Sequence, residues 1–230
     1  METQAEQNKF LVPISIVVAG VLIAGAIYLG DSKGGNLTTD SGQAVTKADV
    51  PEVTERDHVV GPRDAEIMIV EYSDTECPFC KVFHNTMKEV MATYPGKVAW
   101  TYRHFPIVKL HARAHKEAEA TECAYEQGGH QAFWNYIDRM FETTNSNDSL
   151  DPSLLPEIAA QVGLDAEALS TCLSSGRYTE FINKSVEASV KAGARGTPYS
   201  VILTKDGKQI VINGAEPIEM VKAKIDSLLK

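Results

Sequence analysis

Basic residues are scarce in this sequence. Its 230 residues include 22 lysines and arginines against 31 aspartates and glutamates, which gives a formal net charge of -9 at neutral pH. The basic residues also form no cluster that could bind phosphate, so the composition argues against an electrostatic route to nucleic acid. No internal repeat is present, and this length predicts one compact core with appendages rather than two independent domains.

Cysteine is also sparse, with four residues in two different settings. Cys77 and Cys80 are separated by two residues, whereas Cys123 and Cys172 lie far apart in the chain. No second CxxC pair is present to complete a four-cysteine zinc site. The compartment decides how these cysteines are interpreted, because disulfides persist in oxidising spaces outside the cytosol.

Charged residues are absent from residues 10–29. Such a run matches the length of a helix that crosses the hydrocarbon core of a membrane. A cleaved signal peptide is the alternative, because Ala24-Gly25-Ala26 offers small residues, but the apolar run continues beyond them. We therefore predict a cytoplasmic tail at residues 1–9, one transmembrane helix at 10–29, and a single-pass protein of the cell membrane whose larger part is extracytoplasmic.

The remainder of the chain is predicted to form a linker and one domain. Residues 30–57 are rich in Gly, Ser, Thr, Asp and Asn and show no sustained apolar period, which predicts a flexible linker. The domain then spans residues 58–230. A β-branched run at residues 67–72 is typical of a buried strand, and residues 98–103 predict a second strand beyond an intervening helix.

The second half of the domain begins with helical patterns over about residues 111–194, interrupted among other places at Gly128-Gly129. Residues 199–203 and 209–212 predict two strands joined by a turn, and residues 218–229 predict a closing amphipathic helix. The order is strand, helix, strand, helical insertion, hairpin and helix. This order predicts an α/β fold with a helical insertion about residues 111–194.

The motif Cys77-Pro78-Phe79-Cys80 follows the first predicted strand and opens a predicted helix. Free backbone N–H groups and the helix dipole stabilise a thiolate at such a position, so Cys77 is predicted to be the nucleophile. Cys80 lies almost one turn into the helix and is predicted to resolve the mixed disulfide. Pro78 costs no helix hydrogen bond there, and Phe79 supplies no polar donor, so both are predicted to tune the redox potential.

Metal binding is the alternative for a CxxC pair, with His84 as a third ligand. The preceding strand and following helix favour redox chemistry. A second set, His111, His115, Glu119 and Cys123, repeats every four residues, but these residues span about 18 Å of helix and cannot all bind one ion. We therefore expect no metal site and no cofactor.

The segment from Glu71-Tyr72-Ser73-Asp74 to the CxxC motif, together with Gly196-Thr197-Pro198-Tyr199, resembles the DsbA-like branch of the thioredoxin superfamily. The resemblance covers roughly residues 59–230. Thr75 departs from it, because an aromatic residue is more usual there. The resemblance implies a thioredoxin fold with a helical insertion and the activity of a protein thiol–disulfide oxidoreductase.

The resemblance also implies roles for residues outside the motif. Pro198 would adopt the cis form and face the cysteines with Thr197 beside it, although an ordinary trans proline is the alternative. Glu71 would lie beneath the buried sulfur and carry its proton, unless it sits at an exposed strand end. Cys123 and Cys172 would form a structural disulfide, with two separate buried thiols as the alternative.

The expected function is the introduction of disulfide bonds into exported proteins that carry free thiols. The resemblance implies reoxidation by a membrane quinone-linked thiol oxidase, and we expect a membrane-anchored monomer that binds no nucleic acid. A disulfide reductase or isomerase is the nearest alternative, although isomerases of this type usually carry a dimerisation domain. A tethered peptide-binding or metal-binding module, such as a metallochaperone, is the alternative from another class.

Overall fold

A five-stranded sheet forms the centre of the computed structural model, which describes residues 48–229. The strand order is β1-β3-β2-β4-β5, in which β2 and β3 are parallel and the other neighbours are antiparallel. The strands are β1 (His58–Val60), β2 (Ile67–Ser73), β3 (Val98–His104), β4 (Tyr199–Thr204) and β5 (Gln209–Asn213). Strand β2 is therefore central.

The sequence of β2 reflects this central position. Six of its seven residues are buried, so both of its faces pack against other elements and it reads as a continuous apolar run rather than an alternating one. Glu71 is the one charged residue in this run, and its side chain is fully buried. Such a position is unusual for a carboxyl group, because transfer from water disfavours its charged form.

Between residues 48 and 229 six α-helices accompany the sheet, and the middle four form the predicted insertion. Helix α1 begins with Pro78, which tolerates the first helical position because the missing N–H would have no helical partner there. Phe83, Met87 and Val90 of α1 pack in one core cluster with Val221 and Ile225 of the last helix. The helices are α1 (Pro78–Thr93), α2 (Ala114–Thr143), α3 (Leu155–Gln161), α4 (Ala166–Ser175), α5 (Thr179–Lys191) and α6 (Ile218–Leu228).

The helical insertion has its own core cluster around a disulfide. Cys123 of α2 and Cys172 of α4 are joined by a bond of 2.00 Å, with their Cα atoms 5.8 Å apart. Helix α2 is interrupted where Gly128 and Gly129 leave helical backbone geometry, and Gly129 has a φ of 68°, which a residue without Cβ adopts readily. The disulfide therefore links α2 before its interruption to a helix 49 residues further along the chain.

The predicted linker is wrong at its C-terminal end. Residues 48–57 were assigned to it, but Ala48 is buried and the guanidinium of Arg103 donates to the carbonyl oxygens of Pro51 (3.0 Å) and Glu52 (3.1 Å). Arg103 Nε also lies 2.7 Å from the carboxylate of Asp57. This segment is polar in composition and is fixed by contacts to β3, which no local sequence pattern reveals.

The predicted cytoplasmic tail, the predicted span at residues 10–29 and the linker up to residue 47 lie outside the described residues. None of the helices between residues 48 and 229 combines the length and the apolar character needed to cross a bilayer. Strand β1, which the sequence analysis did not predict, is only three residues long and pairs antiparallel with the edge of β3.

A buried carboxylate connects β1 to the insertion. Glu122 of α2 is fully buried, and one of its oxygens lies 3.0 Å from His58 Nε2 and 2.9 Å from His104 Nε2. The guanidinium of Arg56 binds its other oxygen. Burial alone would raise the pKa of Glu122, but the bonds to His104 and His58 hold it well below its usual range. The group is therefore a carboxylate with three partners.

We expect Glu122→Gln to lower the free energy of unfolding by about 3 kcal/mol or more, because it leaves the guanidinium of Arg56 without its buried counter-charge. Glu126→Gln is the control, since Glu126 also lies on α2 but forms a solvent-accessible pair with Arg177, and should cost less than about 1 kcal/mol. Urea unfolding at pH 7 measures both.

The pKa of folded Glu122 lies below its unfolded value. Its contribution to stability is therefore present at neutral pH and is lost as the pH falls from the ordinary glutamate value of about 4.3 towards the folded pKa. Equal losses in Glu122→Gln and Glu126→Gln at pH 7 would contradict a buried ionic role for Glu122.

Candidate active site

The CxxC motif lies at the carboxyl end of β2. Cys77 is the N-cap of α1, with its backbone N–H bonded to the carbonyl of Asp74 (3.2 Å) and its own carbonyl bonded to the N–H of Lys81 (3.1 Å). Pro78 occupies the first helical position, and the side chain of Phe79 is 65% exposed. The motif therefore presents one cysteine at a helix start beside an exposed apolar ring.

The two sulfurs of the motif have unlike surroundings. Both cysteines are free thiols, and Cys77 keeps a small exposed area of 5% whereas Cys80 has none. A hydrogen bond from Cys80 lowers the pKa of Cys77 to about 6, with help from the backbone N–H groups at the helix start. Burial raises the pKa of Cys80 well above its ordinary value. At neutral pH Cys77 is thus the thiolate and Cys80 the thiol.

The loop before β4 faces Cys77. The Thr197-Pro198 peptide bond is cis, and the carbonyl oxygen of Thr197 lies 3.4 Å from Cys77 Sγ. The hydroxyl of Thr197 is buried and has no hydrogen-bond partner among residues 48–229. The structure therefore brings Thr197 and Pro198 to the sulfur of the cysteine predicted to be the nucleophile.

Glu71 lies inside the sheet behind the motif. Its side chain is fully buried, and its carboxylate accepts a hydrogen bond of 2.9 Å from the indole N–H of Trp100. Burial raises the pKa of Glu71 to about 7. The charge of Glu71 is among the effects that raise the pKa of Cys80. Glu71 is therefore a group that can exchange a proton at neutral pH close to the buried sulfur.

Three further acids lie next to the motif, and no pattern in the sequence indicates them. Asp74, Glu76 and Glu117 are all buried, and Thr75 donates a hydrogen bond of 2.6 Å to Glu117. Burial and contact with Glu76 raise the pKa of Glu117 to about 9, which keeps it protonated at neutral pH. The small polar side chain of Thr75, at the position that departs from the family pattern, thus serves as a donor to this cluster.

The partners of His84 are residues other than the two cysteines. Its Nε2 lies 2.5 Å from Asp138 of α2, and its ring packs against Trp100 and Phe141. Between residues 48 and 229, no group of three or more His, Cys, Asp or Glu side chains is arranged to hold a metal ion. His111 precedes α2, which begins at Ala114, so the predicted four-residue repeat does not start on one helix.

Comparisons with known proteins identify the fold and the family. The thioredoxin family model matches residues 53–227. DsbA2 of Pseudomonas aeruginosa is 29% identical at a TM-score of 0.66, and the match covers 77% of this chain and 97% of that protein. Alpha-DsbA1 of Wolbachia pipientis is 26% identical at a TM-score of 0.65, covering 78% and 92%. BdbD of Bacillus subtilis shares the fold at a TM-score of 0.68 with 21% identity, covering 79% and 97%.

The curated relatives are much longer proteins. The Na(+)/H(+) antiporter NhaA 3 of Salinispora tropica is 36% identical over 149 residues, which are 65% of this chain and 22% of the antiporter. The Na(+)/H(+) antiporter NhaA 1 of Salinispora arenicola is 32% identical over 178 residues, which are 77% and 26%. This chain therefore spans about a quarter of the length of these relatives.

We expect Glu71→Gln to slow the resolution of mixed disulfides by about tenfold or more near neutral pH, because the amide cannot take the proton that Cys80 must lose. Formation of the mixed disulfide through Cys77 should stay near the parental rate. Stopped-flow fluorescence, after reduced protein is mixed with a labelled disulfide peptide, separates the two phases.

The control for this experiment is Glu66→Gln, which changes an exposed acid just before β2. In the parental protein the second phase should accelerate as the pH rises through about 7, where Glu71 loses its proton, and Glu71→Gln should lack this rise. A second phase that is the same in parental protein and Glu71→Gln from pH 6 to 8 would leave Glu71 without a proton-handling role.

Proposed function

The chain belongs to the thioredoxin family and, within it, to the DsbA-like thiol–disulfide oxidoreductases, and from this premise we propose that it introduces disulfide bonds into exported proteins. The Cys77–Cys80 pair would be the redox centre. The pair accepts two electrons when its disulfide is reduced, and the client protein supplies them from two thiols. A quinone-linked thiol oxidase of the membrane would then restore the disulfide.

This proposal rests on the opposite pKa shifts of Cys77 and Cys80. A stabilised Cys77 thiolate stabilises the reduced pair relative to its disulfide, and a stabilised reduced form makes a dithiol pair a strong oxidant. The physical sources of this stabilisation are the helix start and the hydrogen bond from Cys80. An oxidising role is therefore favoured over that of a reductase or isomerase, which must be kept reduced by an electron donor.

The reaction follows from this geometry. A client thiolate attacks Cys77 Sγ of the disulfide, and Cys80 leaves as a thiolate that takes up a proton. A second client thiolate then attacks the mixed disulfide at the client sulfur, which forms the client disulfide and releases Cys77 as the stabilised thiolate. Glu71 can supply the proton to Cys80 because it exchanges protons at neutral pH.

The proposal includes a membrane anchor at residues 10–29, a catalytic domain on the extracytoplasmic side, and a monomeric state. The uncharged run at residues 10–29 supports the anchor. The Cys123–Cys172 disulfide supports an oxidising compartment, since structural disulfides are rare in the cytosol. A domain tethered to the membrane on that side would meet both exported clients and a membrane-embedded redox partner.

We expect Cys80→Ser to accumulate mixed disulfides between Cys77 and exported proteins, because the Cys77 thiolate can still attack a client disulfide and release one client thiol, while resolution by Cys80 is lost. Cys77→Ser should trap far fewer clients, and the double variant serves as the control. Non-reducing electrophoresis followed by mass spectrometry of acid-quenched cells identifies the trapped proteins.

The same acid-quenched cells report the direction of electron flow in the parental protein. A Cys77–Cys80 pair that is mostly disulfide supports the oxidase. A mostly reduced pair would favour the reductase or isomerase instead, and equal trapping by Cys77→Ser and Cys80→Ser would contradict the assignment of the nucleophile.

We expect protease added to spheroplasts to digest the domain after residue 48 while the membrane-bound fragment stays attached. Immunoblotting with antibodies to the domain measures this, and a cytoplasmic protein provides the control for spheroplast integrity. Full protection of the domain, or a mature form that begins within residues 24–30, would contradict the anchored topology.

A further inference from the structure

Asp74 connects the cysteine motif to a second loop, residues 105–113, which joins β3 to α2. Its backbone N–H lies 3.5 Å from Cys80 Sγ, and its carbonyl accepts the N–H of Cys77. Its buried carboxylate accepts the backbone N–H groups of Glu76 (2.9 Å) and Ile107 (2.8 Å). Asp74 therefore fixes the motif and the second loop relative to each other.

His111 is the side chain that the second loop directs at Asp74. Its ring is buried, with 6% exposure for the residue, and its Nδ1 lies 2.9 Å from Asp74 Oδ2. Its backbone is fixed as well, because its N–H bonds to the carbonyl of Ile107 and its carbonyl accepts the N–H of Ala114. The carboxylate has no hydrogen to give, so Nδ1 carries the proton of this bond.

Charges from several segments determine how readily the other ring nitrogen of His111 is protonated. Burial alone would lower the pKa of His111, but the hydrogen bond to Asp74 raises it above the ordinary histidine value, and the charge of Cys77 contributes in the same direction. The charged groups that act on this ring are Asp74, Cys77 and Asp148. Glu76 and Glu117 adjoin Asp74, and Arg113 adjoins Asp148.

The surroundings of Cys77 are otherwise rich in acids. Asp74 and Glu76 are buried beside the motif, and negative charge there disfavours a second anion on Cys77. Phe79, inside the motif, is apolar and provides no compensating cation. Lys81 directs its amino group to the carbonyl oxygen of Thr144, at 2.6 Å, and so is engaged away from the sulfur.

We propose that His111 is a positioning residue of the exchange reaction, which holds Asp74 in place and, when protonated, offsets its charge so that Cys77 is stabilised as a thiolate. This role rests on the proposed thiol chemistry of Cys77. The linkage is reciprocal: a thiolate on Cys77 favours the proton on His111, and conversion of Cys77 to a mixed disulfide removes that preference. His111 thus supplies a cationic partner for Cys77 from a loop that is distant in sequence. Phe79 is apolar and cannot supply one.

The test measures the reactivity of Cys77 with iodoacetamide across pH 5 to 9, in full-length protein carrying Cys80→Ser so that one active-site thiol remains. His111→Gln keeps a hydrogen-bond donor for Asp74 but removes the charge. At pH 6 we expect alkylation of His111→Gln to be several-fold slower than that of its Cys80→Ser parent. At pH 9 we expect equal rates, because His111 of the parent is then neutral and provides no charge. His115→Gln is the control, because His115 pairs with Glu119 and Asn183 instead.

His111→Ala is the second variant, since it removes both the donor and the charge. A deficit at pH 6 in His111→Gln that disappears at pH 9, with His115→Gln unchanged, supports the proposal. Rates in His111→Gln that match the parent throughout, or that fall equally at pH 6 and pH 9, would overturn it, even if His111→Ala were slow. Iodoacetamide reports on the thiolate alone, so the result is separate from whether the protein oxidises exported clients.

Discussion

Exclusion of water from the carboxyl end of β2 is the constraint on which the chemistry of this protein depends. Strands β3 and β4 flank β2, and helices cover the sheet, so every titratable group there loses hydration. Burial disfavours the charged forms of Glu71 and Cys80, whereas Cys77 at the helix start gains hydrogen bonds that favour its charged form. Two thiols that are separated by only two residues thereby acquire different surroundings.

The acids around the motif also lose hydration, which disfavours their charged forms, and the fold limits this effect in two ways. Glu117 stays protonated beside Glu76, and Asp74 distributes its charge over two backbone N–H groups and the ring of His111. A carboxylate that accepts several hydrogen bonds remains charged without water. The insertion supplies part of this support, because Glu117 belongs to α2. The helical insertion therefore contributes directly to the electrostatics of the CxxC motif as well as to its enclosure.

The parts of this fold that a sequence pattern can predict are those with a local physical signature. The β-branched run of β2, the helix after Cys77 and the breaks at glycine lie where their residue types indicate, and the resemblance to a known family indicated the Cys123–Cys172 pair and the cis Pro198. The thioredoxin-like fold with a helical insertion is confirmed by the family and structural matches.

What the sequence did not reveal depends on contacts between distant residues. Asp74 and His111 are 37 residues apart, and His58 and Glu122 are 64 apart. Neither pair belongs to a periodic pattern. A polar segment such as residues 48–57 has the composition of a linker whether or not Arg103 binds its carbonyl groups. Only the tertiary structure distinguishes a buried hydrogen-bonded pair from two solvated side chains.

The hydrogen bond between Trp100 and Glu71 gives the protein an intrinsic optical reporter. The chain contains two tryptophans, Trp100 and Trp134, and their ring centroids lie 4.5 Å apart. The emission of both therefore originates from one small region of the core. One of these indoles is bonded to the carboxyl group whose protonation is linked to Cys80. We therefore expect the colour and yield of the intrinsic fluorescence to change when Glu71 gains or loses its proton, without any added dye.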